Sequence, residues 1–132
     1  ADDTAKLIAS YIGEASGEVV WLEKESLIDA ITAISGSGPA YFYLLMEMLE
    51  ASAVEFGFSP AVARKLALQT GLGATALARE DGGELAELRR RVTSPGGTTE
   101  AAIQSLEAHD IRTTFQGAVT AARNRATELG KK

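Results

Sequence analysis

Thr93-Ser94-Pro95-Gly96-Gly97-Thr98-Thr99 is the stretch of this chain best equipped for chemistry, because it sets hydroxyl side chains and two adjacent glycines against the start of a helical run. Glycines leave backbone N–H groups exposed and a helix N-terminus favours negative charge, so a small carboxylate or phosphate can be held there without any arginine. The same residues also suit an elaborate helix cap, and their types alone leave both readings open.

Other chemistries find little to work with. The one histidine, His109, falls at a turn between helices, and no acidic or histidine cluster has ligand spacing, so neither a metal site nor paired-carboxylate chemistry is expected. A Ser-His-Asp mechanism would rest on that same histidine with nothing to orient it. There is no cysteine, which removes disulfides, thiolate metal sites and cysteine nucleophiles, and makes the cytoplasm the default compartment. Two glycine patterns, Gly36-x-Gly38-x-x-Tyr41 and Gly71-x-Gly73-x-x-Ala76, mimic a dinucleotide fingerprint. The true motif follows a strand and opens a helix, whereas the first of these follows a predicted helix and the second lies inside one.

The elements that must position the loop are helical. Leu7, Ile8, Tyr11 and Ile12 predict the end of an amphipathic helix, and Gly13 and Gly17 punctuate the stretch after it. Val19-Val20-Trp21-Leu22 predicts a lone short strand, which must pair somewhere, so residues 1–26 are expected to be the trailing edge of a sheet-containing domain and residues 27–132 a helical one. Ser26-x-x-Asp29 is a capping arrangement ahead of Leu27, Ile28, Ile31 and Ile34, in a helix expected to stop at Ser35-Gly36-Ser37-Gly38. From Ala40 to Phe56 the chain is apolar on nearly every face, which at this size predicts burial against a second copy. Gly57, Ser59 and Pro60 mark the next turn and helix start. The small residues Gly71-Leu72-Gly73-Ala74-Thr75-Ala76 suit close helix contact, and further helices are predicted over 84–92, 99–108 and 111–129.

Whole-chain properties bound the partners. With 132 residues the chain makes one ordinary domain, and a net charge of -5 argues against nucleic acid or an anionic membrane surface. The one basic cluster, Arg89-Arg90-Arg91, is partly balanced by Glu84 and Glu87. No apolar run approaches the ~20 residues of a membrane span, and Ala1-Asp2-Asp3 lacks the basic start of a signal peptide.

Asp29-Ala30-Ile31-Thr32-Ala33-Ile34-Ser35-Gly36-Ser37-Gly38-Pro39-Ala40-Tyr41 together with Val92-Thr93-Ser94-Pro95-Gly96-Gly97-Thr98-Thr99 resembles pyrroline-5-carboxylate reductase, from about Gly17 to the C-terminus. The resemblance implies an all-α helical bundle like the C-terminal domain of 6-phosphogluconate dehydrogenase, preceded by a helix and strand remnant of a Rossmann domain. It implies NADPH- or NADH-dependent reduction of L-1-pyrroline-5-carboxylate to L-proline, the last step of proline synthesis. The expected assembly is a homodimer, often built further into a ring such as a decamer of five dimers, with the active site between a Rossmann domain and helices contributed by the dimer. Carried over residue by residue, Ser94, Gly96, Gly97, Thr98 and Thr99 match the loop that receives the substrate carboxylate. Thr32 matches a threonine whose hydroxyl lies near the ring nitrogen, and Ser37, Gly38 and Pro39 match a turn near the nicotinamide. Leu85-Ala86-Glu87-Leu88-Arg89-Arg90-Arg91 departs modestly, since many relatives begin it with proline and carry an acidic residue near Arg90. Two other readings of the chain are a non-catalytic helical dimerisation module and the matching domain of a related imine or hydroxy-acid reductase. The Thr93 to Thr99 loop discriminates, because a purely structural domain has no need of it.

Overall fold

The computed structural model describes residues 3–131, so the first two residues of the expected 1–26 segment and the last residue of the chain lie outside the described residues. Among the described residues seven α-helices run in order: α1 (Asp3–Glu14), α2 (Ile28–Ile31), α3 (Gly38–Glu55), α4 (Pro60–Asp81), α5 (Leu85–Arg91), α6 (Thr98–Ala108) and α7 (Ile111–Gly130). A 3-10 turn, Glu25–Leu27, precedes α2, and a π-helical turn, Thr32–Gly36, joins α2 to α3. Among the described residues there is no strand.

The expected strand at Val19-Val20-Trp21-Leu22 is therefore corrected to an irregular segment that folds back on α1. With no second strand to pair with, its attachments are side chains: Trp21 Nε1 donates to Ser10 Oγ at 2.9 Å, and Val19 lies so close to Gly13 that a Cβ there would stand 2.6 Å from its Cγ2. The expected cap at Ser26 is also corrected. A capping residue needs extended backbone, which Lys24 has (φ -131°, ψ 133°), while Ser26 sits inside the 3-10 turn.

The helix ends within Ser35–Gly38 as expected, but its last turn, Thr32–Gly36, widens into a π turn, with Ser37 N–H donating to Thr32 O at 2.8 Å. Two hydroxyls bond back to carbonyls four residues earlier, Thr32 Oγ1 to Ile28 O (2.8 Å) and Ser35 Oγ to Ile31 O (3.0 Å). Such back-bonds draw carbonyls off the helical ladder and ease its distortion. The turn is clamped by α7: Thr127 Oγ1 donates to Asp29 Oδ2 at 2.7 Å, and Tyr41 meets Phe115 edge to face at 5.5 Å while its hydroxyl donates to Ala33 O.

Helices α3 and α4 form a long hairpin. Gly57 turns the chain at φ +98°, a conformation that favours glycine, and Pro60 opens α4 where its missing N–H costs nothing. The small residues of α4 face α3, with Ala63 and Ala67 buried and a Cβ on Gly71 falling 3.3 Å from Met46 Sδ. Gly71→Leu is accordingly expected to overpack this seam and destabilise the fold by about 1–3 kcal/mol, read as a lower thermal midpoint, whereas Gly71→Ala leaves a flexible methionine to adjust.

The outward faces of the hairpin are bare. Phe42, Leu44 and Met48 remain 58%, 56% and 52% exposed, and among the described residues the buried hydrophobic ones are only Ala33, Ala63 and Ala67. The chain exposes 10785 Å², where a compact monomer of its mass exposes about 6,700 Å². That excess, about 4,000 Å² in each copy, puts a pair of copies at the upper end of what large obligate dimers bury.

Candidate functional site

The Thr93–Thr99 segment leaves α5 and enters α6 through a tight turn. Thr93 Oγ1 donates to Arg89 O at 2.6 Å, and Gly97 N–H donates to Ser94 O at 3.0 Å. Gly96 sits at φ +70°, and a Cβ on Gly97 would stand 3.0 Å from Ser94 O, so both glycines are demanded by the backbone path. Gly97 is the N-cap of α6 and no side chain caps the helix, which leaves the amides of Thr98 and Thr99 available. Thr99 is half-buried, and Ser94 and Thr98 are exposed. Hydroxyls, two glycines and the uncapped start of α6 thus lie together in one turn, with the Thr98 and Thr99 amides as its open backbone donors.

One residue here escaped the reading of the sequence. The Glu100 carboxylate reaches back to accept the Gly96 N–H at 2.7 Å. The available signal was its position in the first turn of α6, where a carboxylate returning to amides ahead of the helix is a known capping arrangement.

Thr32 is exposed in the π turn, its hydroxyl held by Ile28 O, and Ser37-Gly38-Pro39 opens α3 one turn later. Gly38 is buried and Pro39 is exposed, with no charged side chain in the turn. Among the described residues nothing forms a strand–turn–helix, so they do not fit a whole dinucleotide, and Ser37, Gly38 and Pro39 offer at most an uncharged edge. Gly36 and Gly73 lie inside the π turn and α4, as expected of sequences that are not nucleotide loops.

Within one chain the π turn and α6 both lie against α7, on either side of an open cleft. The π turn rests on α2, α3 and α7, while α6 rests on α7. Between them opens an apolar cavity of about 700 Å³, lined by Ala33 and Ile34 on one side, Ile103 and Leu106 on another, and Phe115 and Val119 at the base. Neither Thr32 nor Ser94–Thr99 lines it. Glu107 at its rim receives Arg112 through two nitrogens, and these hydrogen bonds hold the Glu107 carboxyl below the ordinary carboxylate range, against a desolvation that acts the other way.

His109, Arg90 and Arg91 make local contacts. His109 ends α6 with Nδ1 against Ser105 O at 2.7 Å. Leu85 starts α5 after Glu84 without proline; Arg90 pairs with Glu87, and Arg91 with Asp81 at 2.6 Å. Among the described residues no group of three or more histidines or carboxylates could hold a metal ion, and no helix is long and apolar enough to cross a membrane.

A model of the pyrroline-5-carboxylate reductase dimerisation family matches residues 25–129. The chain is 48% identical over 123 residues to the pyrroline-5-carboxylate reductase of Pseudomonas aeruginosa, covering 93% of this chain and 45% of that protein. It is 47% identical to that of Synechocystis, covering 99% and 48%. Among solved structures, a pyrroline-5-carboxylate reductase from Coxiella burnetii superposes with a TM-score of 0.93 at 46% identity, covering 98% of this chain and 48% of that one. Plasmodium falciparum pyrroline carboxylate reductase with NADP bound superposes at 0.88 and 33% identity, covering 98% and 49%. The chain spans about half the length of the curated relatives it matches.

Proposed function

The chain belongs to the pyrroline-5-carboxylate reductase dimerisation family, and from that premise we propose that it is the dimer-forming, substrate-binding part of an enzyme that reduces L-1-pyrroline-5-carboxylate to L-proline with NADPH or NADH. The observation that carries the reading is the Ser94–Thr99 loop, where a glycine turn and the uncapped start of α6 leave the Thr98 and Thr99 amides available beside the hydroxyls of Ser94, Thr98 and Thr99. Residues 1–26 are the trailing edge of the dinucleotide-binding domain, and 27–132 form the helical domain. The enzyme works in the cytoplasm.

In this reading Ser94, Gly96, Gly97, Thr98 and Thr99 grip the substrate carboxylate and so fix the ring. Thr32 presents its hydroxyl to the ring nitrogen, the atom that gains a proton when the imine becomes an amine. Ser37, Gly38 and Pro39 shape the wall beside the nicotinamide.

The site is shared between two copies. The bare faces of the α3–α4 hairpin and the open cleft between the π turn and α6 are the complementary surfaces, so a partner's helices enter between the two halves of the site in one chain. Thr32 of one copy then faces the loop of the other. A decamer of five dimers is the larger assembly this arrangement admits. Among the described residues there is no dinucleotide cradle, and the chain by itself is expected to be inactive.

Thr99→Val in the full-length enzyme tests the reading. The change removes one hydroxyl and keeps the shape, so the KM for pyrroline-5-carboxylate should rise about tenfold, the loss of one hydrogen bond to a charged group, with the thermal midpoint little changed. Wild-type kinetics would sink the carboxylate assignment and favour the non-catalytic dimerisation module.

A further inference from the structure

We infer that Glu100 is a built-in competitor for the substrate carboxylate, and so sets how tightly the Ser94–Thr99 loop holds its ligand. The inference rests on the reading of that loop as the carboxylate site. Its observation is independent of the motif: the Glu100 carboxylate lies 2.7 Å from the Gly96 amide, on a donor that belongs to the same cradle. A carboxylate is the chemical class the site is proposed to receive, so the protein's own side chain already satisfies part of it.

Two arrangements are open to an incoming anion, and both carry the same sign. Either Glu100 leaves the Gly96 amide and its displacement weakens the apparent affinity, or it stays and presents a like charge within a few ångströms of the ligand carboxylate. Glu100 is half-buried, so water does not fully screen that charge. The arrangement tunes specificity as well. A ligand with a positively charged ring nitrogen beside its carboxylate recovers part of the repulsion, whereas a simple carboxylate of the same shape does not.

Glu100→Gln separates charge from hydrogen bonding, because the new amide oxygen still accepts from Gly96 N–H while the negative charge is gone. In the full-length enzyme the measurements are the KM for pyrroline-5-carboxylate and the inhibition constant of cyclopentanecarboxylate, a five-membered carboxylate without nitrogen. Both should fall about three- to tenfold, as expected for removing one like charge near contact distance, and the inhibition constant should fall further than the KM. A parallel Thr99→Val variant should raise both. If Glu100→Gln leaves both constants unchanged or raises them while Thr99→Val weakens binding, the competitor role is overturned and the loop assignment stands. If neither variant moves either constant, the loop assignment falls and the inference with it.

Discussion

Leu44→Asp is expected to abolish the dimer, taking the solution mass of this chain from about twice 13.9 kDa to 13.9 kDa. Leu44 lies on α3 opposite the face that meets α4, and it is 56% exposed in one chain. In the proposed assembly a second copy covers it. An unpaired carboxylate there must either be desolvated, at a cost of several kcal/mol, or part the interface. Light scattering gives the mass, and circular dichroism over the same concentrations follows the helices. A variant that stays dimeric would show that the outward face of α3 is not what holds the copies together. Because the buried apolar residues described in one chain are three alanines, helicity should fall together with mass.

Gly96→Val should cost the full-length enzyme roughly 100-fold in kcat/KM, by moving donors that must be held to within about 1 Å. The reason is conformational rather than steric. A Cβ at Gly96 meets nothing within 4 Å, but φ is +70°, a region that a β-branched residue enters only at a cost of about 1–3 kcal/mol. Relieving that strain turns the Gly96 and Gly97 amides away from the cradle. Asparagine tolerates the left-handed region, so Gly96→Asn should lose much less. Equal losses in the two variants would mean that bulk at this position matters and that the backbone path does not.

The helices were legible in the sequence because their signals are local. Gly57 with Pro60, the apolar face of α7 and the hydroxyl-glycine loop before α6 each declare themselves within a few residues. The turn at Ser94–Thr99 was legible for the same reason, as both glycines serve a backbone path that their own positions imply. What escaped needed the third dimension. Val19–Leu22 has the residue types of a strand, yet strand formation depends on a neighbour, and here Trp21 and Val19 find α1 instead. The π turn depends on the competition of Thr32 and Ser35 hydroxyls with the helical ladder, which spacing alone does not decide. Glu100 is by position a first-turn acid, and only its side-chain conformation brings it onto Gly96. The separation of Thr32 from the loop could not be read at all, since it depends on the cleft between the π turn and α6.

Subunit complementation tests that separation directly. Full-length Thr32→Val and Gly96→Val enzymes, each nearly inactive alone, would be unfolded together and refolded as a mixture, so that about half of the dimers are hybrids. If Thr32 of one copy works with the loop of the other, each hybrid carries one doubly impaired site and one intact site, and the mixture should recover about a quarter of wild-type activity. If both residues of a site come from the same chain, every site in the mixture stays impaired and no activity returns, which would contradict the shared site.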